Sequence, residues 1–423
     1  MGHTLAEKIL IHNTGCDDCV PGDIVMTKPD FMVVLDIYSR FVHNKFREMG
    51  FEKAACPEKV IIVEDHQLPT CLPDDPLAYR SSNNLAEALH ISWDHVFTDG
   101  IVHQLIPEKG VAKPGNVIIC TDSHTVSYGA VGCFGTGVGY TEMASMIGSG
   151  EMWMKVPSAI KIQIDGTLPQ GVYPKDVILR ILGDLRADGG TYKALEFCGT
   201  TVDSMSVGER ITLANMSVEC GAKVGLFAPD AKTCAYSGVS PEDVAWLHFD
   251  EDAKYDRVLI YQASDFEPNL SCPQYVDNIH SVNEMEGIRV DQIFLGSCTN
   301  GRLDDIRIAA EILKGKHVAK GVKFLVTPAS FKIYQDALHL GYLQTLVKAG
   351  AMVTHAYCSI CSGRSGGIIC DGEITLSTNN RNFLGRMGSA KSMIYLGSPA
   401  TIAASAITGK ITDPREFCAI NAV

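Results

Sequence analysis

Short apolar runs alternate along the chain with longer stretches in which apolar residues recur every three or four positions. The short runs indicate buried strands and the periodic stretches indicate helices, so the pattern predicts an α/β fold. Four of the short runs lead directly into polar or thiol side chains. They are 59–63 before Asp65-His66, 116–120 before Asp122-Ser123-His124, 292–295 before Cys298, and 351–354 before Cys358. Because open α/β sheets bind ligands at the carboxyl ends of their strands, these four ends predict an active site.

The periodic stretches predict helices between these strands. Residues 207–220 form one such stretch, and Gly221 provides a helix stop. Residues 303–314 form a second, directly after the Cys298 strand. Residues 331–348 form a third, which ends before Gly350.

Two segments have the composition of connections between domains. Residues 166–174 are rich in Gly, Pro and Gln, and residues 265–286 are rich in Pro, Asn and Ser. We therefore expect three α/β domains, at 1–162, 163–287 and 288–423.

Composition and charge exclude several classes of protein. The chain has 423 residues, of which 46% are apolar, and its net charge is 36 − 49 = −13. This composition is typical of a globular protein with a large core and argues against disorder. The acidic balance argues against a nucleic-acid or anionic-membrane surface, because phosphate binding needs a basic face. No apolar run is long enough for a membrane helix, and the N-terminus lacks the features of a secretory signal.

The fifteen cysteines are an odd number scattered over a long chain. This distribution predicts reduced thiols in a cytoplasmic, cytosol-like compartment rather than a disulfide framework. Cys358 and Cys361 form a C-x2-C pair, which could be half of a zinc site together with Cys16 and Cys19, a redox pair, or two buried thiols. The alternative that we favour is an iron–sulfur cluster held by three thiolates, with Cys298 as the third, which leaves one iron open to act as a Lewis acid.

Carboxylates and imidazoles stand side by side at two of the strand ends. Asp65 precedes His66, and Asp122 lies two residues before His124, while His103 adds a third imidazole. A carboxylate beside an imidazole raises its pKa and fixes its tautomer, which suits a proton donor to a departing hydroxyl. A single Asp–His pair is more often structural, but two pairs at equivalent strand ends favour a catalytic role.

Other candidate residues carry weaker signals. Asn215 and Glu219 lie four residues apart and would share one face of a helix, which by spacing alone is typical of a solvated surface pair. Arg381 and Arg386 flank a short loop, and arginine can hold a carboxylate through two hydrogen bonds.

The glycine-rich run 129–139 invites comparison with a dinucleotide-binding loop. Its spacing is G-x-G-x-G rather than G-x-G-x-x-G, and Asp122, Ser123 and His124 stand between the strand and the glycines. Tight packing between a helix and a sheet explains these glycines more simply than a nucleotide does.

Several motifs, in a fixed order, resemble the aconitase family of iron–sulfur hydro-lyases. They are 65–66, 100–104, 122–125, 296–302 (GSCTNGR), Cys358 with Cys361, and 377–388 (STNNRNFLGRMG). The resemblance runs essentially end to end and is closest to the isopropylmalate isomerase branch. It implies three α/β domains of aconitase type around a central cleft.

The resemblance also implies a role for each candidate residue. One 4Fe–4S cluster with an open iron would be held by Cys298, Cys358 and Cys361. The catalytic residues around the substrate hydroxyl would be Asp65, His66, His103, Asp122, His124 and Glu219, the last as the partner of His124. Substrate carboxylates would be bound by Ser123, Arg381 and Arg386. The environment of the cluster would include Asn215 and Asn380.

The chain departs from the family pattern in two respects. Single-chain members carry a swivelling fourth domain that supplies a serine base and a further arginine, and no segment of this chain resembles it. We therefore expect a large subunit that needs a small partner subunit to complete the site. Leu35 stands where relatives usually have His or Gln, so an apolar substrate group is one interpretation of this side of the site.

The expected reaction is reversible loss and addition of water on a small hydroxy di- or tricarboxylic acid. Interconversion of 2- and 3-isopropylmalate, a step of leucine biosynthesis, is the first expectation. Homoaconitate, 2,3-dimethylmalate, citraconate and maleate are alternative substrates. A different class of function is a non-catalytic iron- or redox-sensing binding protein on the same scaffold, against which the complete acid–base set argues.

Overall fold

The computed structural model describes residues 2–418. This part of the chain contains the strands β1 (Ile24–Thr27), β2 (Phe31–Leu35), β3 (Val60–Val63), β4 (Val96–Phe97), β5 (Val117–Cys120), β6 (Phe134–Gly137), β7 (Met152–Lys155), β8 (Ala159–Asp165), β9 (Ala194–Cys198), β10 (Val224–Phe227), β11 (Arg257–Gln262), β12 (Asn269–Ser271), β13 (Ile279–Ser281), β14 (Gln292–Leu295), β15 (Lys323–Val326), β16 (Met352–Val353), β17 (Ile374–Ser377) and β18 (Met393–Leu396).

Helices connect most of these strands, as expected for an α/β fold. They are α1 (Leu5–Thr14), α2 (Asp36–Glu48), α3 (Asp75–Leu89), α4 (Val102–Glu108), α5 (Tyr140–Ser149), α6 (Pro174–Leu185), α7 (Thr200–Ser204), α8 (Val207–Met216), α9 (Ala231–Ser237), α10 (Ser297–Asn300), α11 (Leu303–Leu313), α12 (Phe331–His339), α13 (Tyr342–Ala349) and α14 (Pro399–Thr408).

Contacts divide the chain into two compact units. Unit 1 contains the residues up to Thr98, Val102–Asp165 and Asp188–Tyr261. Unit 2 contains Asp99–Ile101, Gly166–Ala187 and the chain from Gln262 onward. The division into three domains stays a prediction.

Unit 1 contains a parallel five-stranded sheet in the order β4-β3-β2-β5-β6. Strands β3 and β5 are buried along their whole length, which explains why they read as continuous apolar runs rather than as alternating ones. A four-stranded sheet in the order β10-β9-β8-β11 belongs to the same unit. One apolar core cluster includes residues of both sheets, among them Val34, Ile62 and Leu226.

Close backbone packing explains the glycine-rich run, as the sequence predicted. A methyl group on Gly129 would lie 1.7 Å from the carbonyl oxygen of Gly225 in β10. On Gly135 and Gly137 it would lie 2.2 and 2.4 Å from the carbonyl oxygens of Thr125 and Asp122. No side chain fits at these distances, so the glycines allow β10 and β6 to pack closely against the segment after β5.

Unit 2 is built on a seven-stranded sheet in the order β13-β12-β18-β17-β14-β15-β16. The five strands from β18 to β16 are parallel to one another. Strand β12 is antiparallel to both of its neighbours, β18 and β13. Strands β12 and β13 lie within 265–286, a segment whose composition predicted a connection. Short strands of three residues leave too little periodicity to be recognised in a sequence.

All four predicted strands are present, and two of the three predicted helices need correction. Helix α8 ends at Met216 and the chain continues as a 3-10 turn over Ser217–Cys220 before Gly221. The single helix predicted over 331–348 is wrong, because Gly341 adopts a left-handed conformation with φ of 79° and separates α12 from α13. None of the helices in the described part of the chain combines the length and the apolar character needed to cross a bilayer.

Candidate active site

Three neighbouring strands of unit 1 deliver acidic and imidazole side chains to one edge of the five-stranded sheet. Strand β2 leads into Asp36, β3 leads into Asp65 and His66, and β5 leads into Asp122. Because β3, β2 and β5 are parallel neighbours, their carboxyl ends meet at the same edge. The topology therefore brings together residues that are up to 86 positions apart in the sequence.

His66 is held between carboxylates. Its Nδ1 atom lies 2.6 Å from Oδ1 of Asp65, and the backbone N–H of His66 donates to Oδ2 of Asp36 at 3.2 Å. Burial opposes the charged imidazolium, but Asp65, Asp36 and Asp122 outweigh it and raise the pKa of His66 to about 10. Burial, opposed by His66, raises the pKa of Asp36 to about 6. His66 is therefore a proton-carrying cation at neutral pH.

Asp122 is the common acceptor for two other histidines. Its Oδ1 atom lies 2.8 Å from Nε2 of His103 and accepts the backbone N–H of His124 at 2.7 Å. Burial alone would raise the pKa of Asp122, but His103 and His124 hold it well below its usual range. The second oxygen, Oδ2, lies 4.0 Å from Nε2 of His66. A permanent negative charge thus stands among three imidazoles.

His124 is held by a carboxylate from the 3-10 turn that lies between α8 and β10. Its Nε2 atom lies 2.8 Å from Oε1 of Glu219, and its Nδ1 atom lies 3.5 Å from Oγ of Ser123. Asn215 donates to Oγ of Ser127 at 2.9 Å, and Ser127 in turn donates to the carbonyl of His124 at 2.6 Å. Both members of the predicted Asn–Glu helix pair are therefore linked to His124.

We refer below to Asp65, His66, His103, Asp122, His124 and Glu219 as the histidine–carboxylate group. Two further residues of this region were missed by sequence reasoning. Asp36 follows β2 as Asp65 follows β3, so the same strand-end pattern could have revealed it. Tyr128 contacts Nδ1 of His103 through its hydroxyl at 3.3 Å, and no local pattern in the sequence indicated that contact.

Unit 2 brings the three predicted cluster cysteines to the carboxyl edge of its own sheet. Strand β14 leads into Cys298, and β16 is followed by a 3-10 turn over Ser359–Ser362, with Cys358 as its N-cap and Cys361 inside it. Strand β17, next to β14, leads into Asn380. The three cysteines are buried, with only 4–6% of each residue exposed.

The side chain of Asn380 connects two of these thiols. Its Nδ2 atom lies 3.5 Å from Sγ of Cys298, and its Oδ1 atom lies 3.9 Å from Sγ of Cys361. Arg386 reaches the same region, with Nη2 at 3.5 Å from Sγ of Cys361. Arg381 is partly buried directly after Asn380. The amide and one of the two predicted substrate arginines are thus in contact with sulfur.

The surroundings of the thiols fit an iron–sulfur group. Both polar atoms of the Asn379 side chain and the hydroxyl of Ser362 are buried, and within residues 2–418 they have no hydrogen-bond partner. Donors of this kind can bond to the sulfur atoms of a cluster. Ser297 and Ser359, each next to a cluster cysteine, have positive φ angles of 72° and 55°. Such strained backbone costs about 1–3 kcal/mol per residue and is concentrated at functional sites.

The zinc interpretation joins Cys16 and Cys19 of unit 1 with Cys358 and Cys361 of unit 2, and it stays a hypothesis. Within residues 2–418, one set of ligand atoms lies close enough for a single ion, all within 4.8 Å, and it consists of Asp36, Asp65 and His66 rather than of thiols. Cys19 is buried in unit 1, where burial and then Cys16 raise its pKa to about 12.

Comparison of the sequence with models of known protein families identifies one match. The family model described as the aconitase family (aconitate hydratase) matches residues 7–287 and 275–409. The chain belongs to the aconitase family. Members of this family are hydro-lyases, so the chain is an enzyme of that class, and the family implies a 4Fe–4S cluster.

Relatives in the aconitase family match over nearly their full length. The chain is 42% identical to 3-isopropylmalate dehydratase large subunit 1 of Methanopyrus kandleri, over 99% of this chain and 100% of the relative. It is 42% identical to the 3-isopropylmalate dehydratase large subunit of Nitratidesulfovibrio vulgaris, over 98% and 99%. Among solved structures, aconitase X of Thermococcus kodakaraensis in its holo-form matches with a TM-score of 0.50 and 12% identity, over 89% of each chain. This last likeness supports the aconitase-type α/β fold alone.

Proposed function

We propose that the chain is the large subunit of a two-subunit hydro-lyase that interconverts 2- and 3-isopropylmalate. The relatives that match it end to end are named as large subunits of 3-isopropylmalate dehydratase. The single observation that carries the chemistry is the Asn380 side chain, which contacts both the Cys298 and the Cys361 sulfurs at the strand ends of unit 2. Homoaconitate, 2,3-dimethylmalate, citraconate and maleate are the alternative substrates.

The reaction breaks a C–H bond and the C–O bond on the neighbouring carbon, so that a C=C bond and water form. Water then adds back with hydrogen and hydroxyl exchanged. The cluster, held by Cys298, Cys358 and Cys361, would supply a Lewis acid for the hydroxyl. The protein must hold the carboxylates of the substrate and supply or accept the protons.

The histidine–carboxylate group supplies the proton for the departing hydroxyl. His66 keeps its proton at neutral pH because three carboxylates surround it. Asp122 stays ionised and orients His103 through a hydrogen bond of 2.8 Å. Glu219 orients His124 in the same way. In the reverse reaction the same imidazoles take a proton from the incoming water.

Ser123, Arg381 and Arg386 bind the carboxylates of the substrate. Arginine keeps its charge at every relevant pH and can bind a carboxylate with two parallel hydrogen bonds. The base that removes the carbon-bound proton comes from the small subunit, as does a further arginine. The fifteen cysteines all lie within residues 2–418 and none of them forms a disulfide there, which suits work in a reducing, cytoplasmic compartment.

The experiment is a turnover assay of the anaerobically reconstituted chain with and without a separately purified small subunit. A panel of hydroxy acids should give the highest kcat/KM with isopropylmalate, and turnover should require both subunits. Strong turnover by the chain alone, or a preference for another acid of the panel, would contradict the proposal.

A pair of cysteine variants tests the ligand set. Cys298→Ala should abolish the visible absorbance of the cluster and the turnover. Cys16→Ala, the matched control in unit 1, should leave both unchanged. The reverse result would favour a site that contains Cys16 and Cys19.

A further inference from the structure

A lysine is completely buried in unit 2. Lys175, the second residue of α6, has no exposed surface, although lysine is among the residues least often found in a protein interior. Its ammonium donates to two backbone carbonyls, at 3.0 Å to Thr378 and at 2.6 Å to Asn379. A buried charge that carries no part of the proposed reaction needs another explanation.

The two carbonyls belong to the segment that carries Asn380. This segment leaves the sheet after β17, and Oγ1 of Thr378 accepts the N–H of Gly296 at 3.0 Å and donates to the carbonyl of Gly296 at 3.1 Å. Asn380 itself donates to Oγ1 of Thr299 at 3.1 Å. The segment is thereby joined to Gly296 and to α10, which carries Cys298, and Lys175 joins it to α6.

The orientation of Asn380 depends on the two peptide groups that precede it. A charged donor fixes a carbonyl more strongly than a neutral one does, and two carbonyls held by one ammonium fix the peptide planes between them. Without the ammonium, two buried carbonyls lose a charged donor and the segment must rotate to find others. Such a rotation would move the Asn380 amide away from the sulfurs.

The geometry points to Lys175 as a positioning residue of the cluster site, which acts by holding the Asn380 side chain against Cys298 and Cys361. The inference rests on the proposed ligation of a cluster by Cys298, Cys358 and Cys361. It deepens that proposal by assigning a residue that holds the backbone of the Asn380 segment.

The test measures the lifetime of the cluster in the whole chain. Wild type, Lys175→Met, Asn380→Ala and the double variant are reconstituted anaerobically, and the decay of visible absorbance is followed after an iron chelator is added. Loss of groups that support metal ligands typically weakens metal binding about 10- to 100-fold. Lys175→Met and Asn380→Ala should each shorten the half-life by about tenfold or more.

The double variant separates positioning from general stability. If Lys175 acts through Asn380, the double variant should lose its cluster no faster than the more affected single variant. If instead the fold-changes in half-life of the two single variants multiply in the double variant, Lys175 and Asn380 act independently. That result would overturn the inference. Lys175→Gln, which keeps two N–H donors, should recover part of the half-life. Failure of both Lys175 variants to fold as apoprotein would assign the lysine to the core alone and would also overturn it.

Asp176→Asn is the matched control for a loosened helix. Asp176 is equally buried and adjacent, but its carboxylate accepts the N–H groups of Tyr173 and Asn269 rather than contacting the Asn380 segment. It should lower the melting temperature of the apoprotein and leave the half-life of the cluster unchanged.

If wild type forms no cluster, the proposed function fails. If wild type and Asn380→Ala behave as expected but Lys175→Met matches wild type, only the inference about Lys175 fails.

Discussion

Nε2 of His124 lies 2.8 Å from Oε1 of Glu219, and both side chains are nearly buried, with 5% and 4% exposure. His124 follows β5 of the five-stranded sheet, whereas Glu219 stands in the 3-10 turn after α8. The close approach of Gly129 to Gly225 packs these two parts of unit 1 together. The carboxylate therefore fixes the orientation of an imidazole that comes from a distant part of the sequence.

Removal of this carboxylate should slow the reaction without weakening substrate binding. Glu219→Gln keeps the size of the side chain but removes the carboxylate charge beside His124. Since positioned acid–base groups contribute at least 10²-fold, we expect kcat to fall by about 10²-fold with little change in KM. Steady-state kinetics of the reconstituted two-subunit enzyme measures both. Glu242→Gln, at an exposed position of the same unit, is the control, and equal kcat values for the two variants would contradict the role.

The buried cation at His66 makes stability depend on pH. A histidine whose pKa is raised on folding, here to about 10, contributes stability that is fully present below its unfolded pKa of about 6.5. That contribution is lost as the pH rises from about 6.5 through about 10. The variant His66→Gln lacks it at every pH.

Urea denaturation at several pH values tests this expectation. The urea midpoint of unfolding should be higher for wild-type apoprotein than for His66→Gln, and this difference should be largest at about pH 6. It should narrow steadily towards about pH 10. His339→Gln, at an exposed position of α12, is the control. A difference that is constant over this range, or that widens with pH, would show that His66 does not carry the charge assigned to it.

The sequence allowed the strands and their polar ends to be predicted because each signal is local. Four continuous apolar runs, each followed by Asp, His or Cys, required only the general behaviour of parallel sheets. The order of the strands was not predictable, because it depends on which runs pair. For that reason Asp36, at the end of the strand between β3 and β5, was not recognised as a neighbour of His66.

Contacts between distant segments account for the other omissions. Lys175 reaches the carbonyls of Thr378 and Asn379 across more than 200 positions, and no periodicity relates them. The single helix over 331–348 failed for a local reason, since its apolar spacing continues through Gly341 while the backbone does not. The family resemblance supplied the residue roles, and these remain predictions for the kinetic tests.

Arg386 should affect both substrate and cluster, whereas Arg381 should affect substrate alone. The structure gives Arg386 a contact of 3.5 Å with the Cys361 sulfur. Replacing either residue by Lys keeps the charge but removes the planar pair of donors. Since a hydrogen bond to a charged group contributes about 1.5–3 kcal/mol, KM should rise by about tenfold or more in both variants.

Chelator-driven loss of absorbance should distinguish the two arginine variants. It should be faster in Arg386→Lys and unchanged in Arg381→Lys. Arg307→Lys, at a surface ion pair with Glu311, serves as the control for both measurements. An unchanged KM in both Arg381→Lys and Arg386→Lys would remove the arginines from the substrate site.

The glycine at 129 should tolerate no side chain. A methyl group there would stand 1.7 Å from the carbonyl oxygen of Gly225, a backbone atom that cannot move without displacing β10. Overpacking of a well-packed interior typically costs about 1–3 kcal/mol, and a clash with backbone should exceed that range. At Gly139 the nearest atom to such a methyl group is Oε2 of Glu142, the end of a flexible side chain that can turn away.

We therefore expect Gly129→Ala to unfold at much lower urea concentration than wild type, or to be insoluble, and Gly139→Ala to remain close to wild type. Denaturation followed by circular dichroism measures the difference. A dinucleotide-binding function for the run would give a different result, in which both variants fold normally and lose affinity for a nucleotide. The packing explanation requires a clash when Gly129 is replaced, whereas the nucleotide explanation does not. The stability of Gly129→Ala relative to Gly139→Ala therefore distinguishes the two explanations.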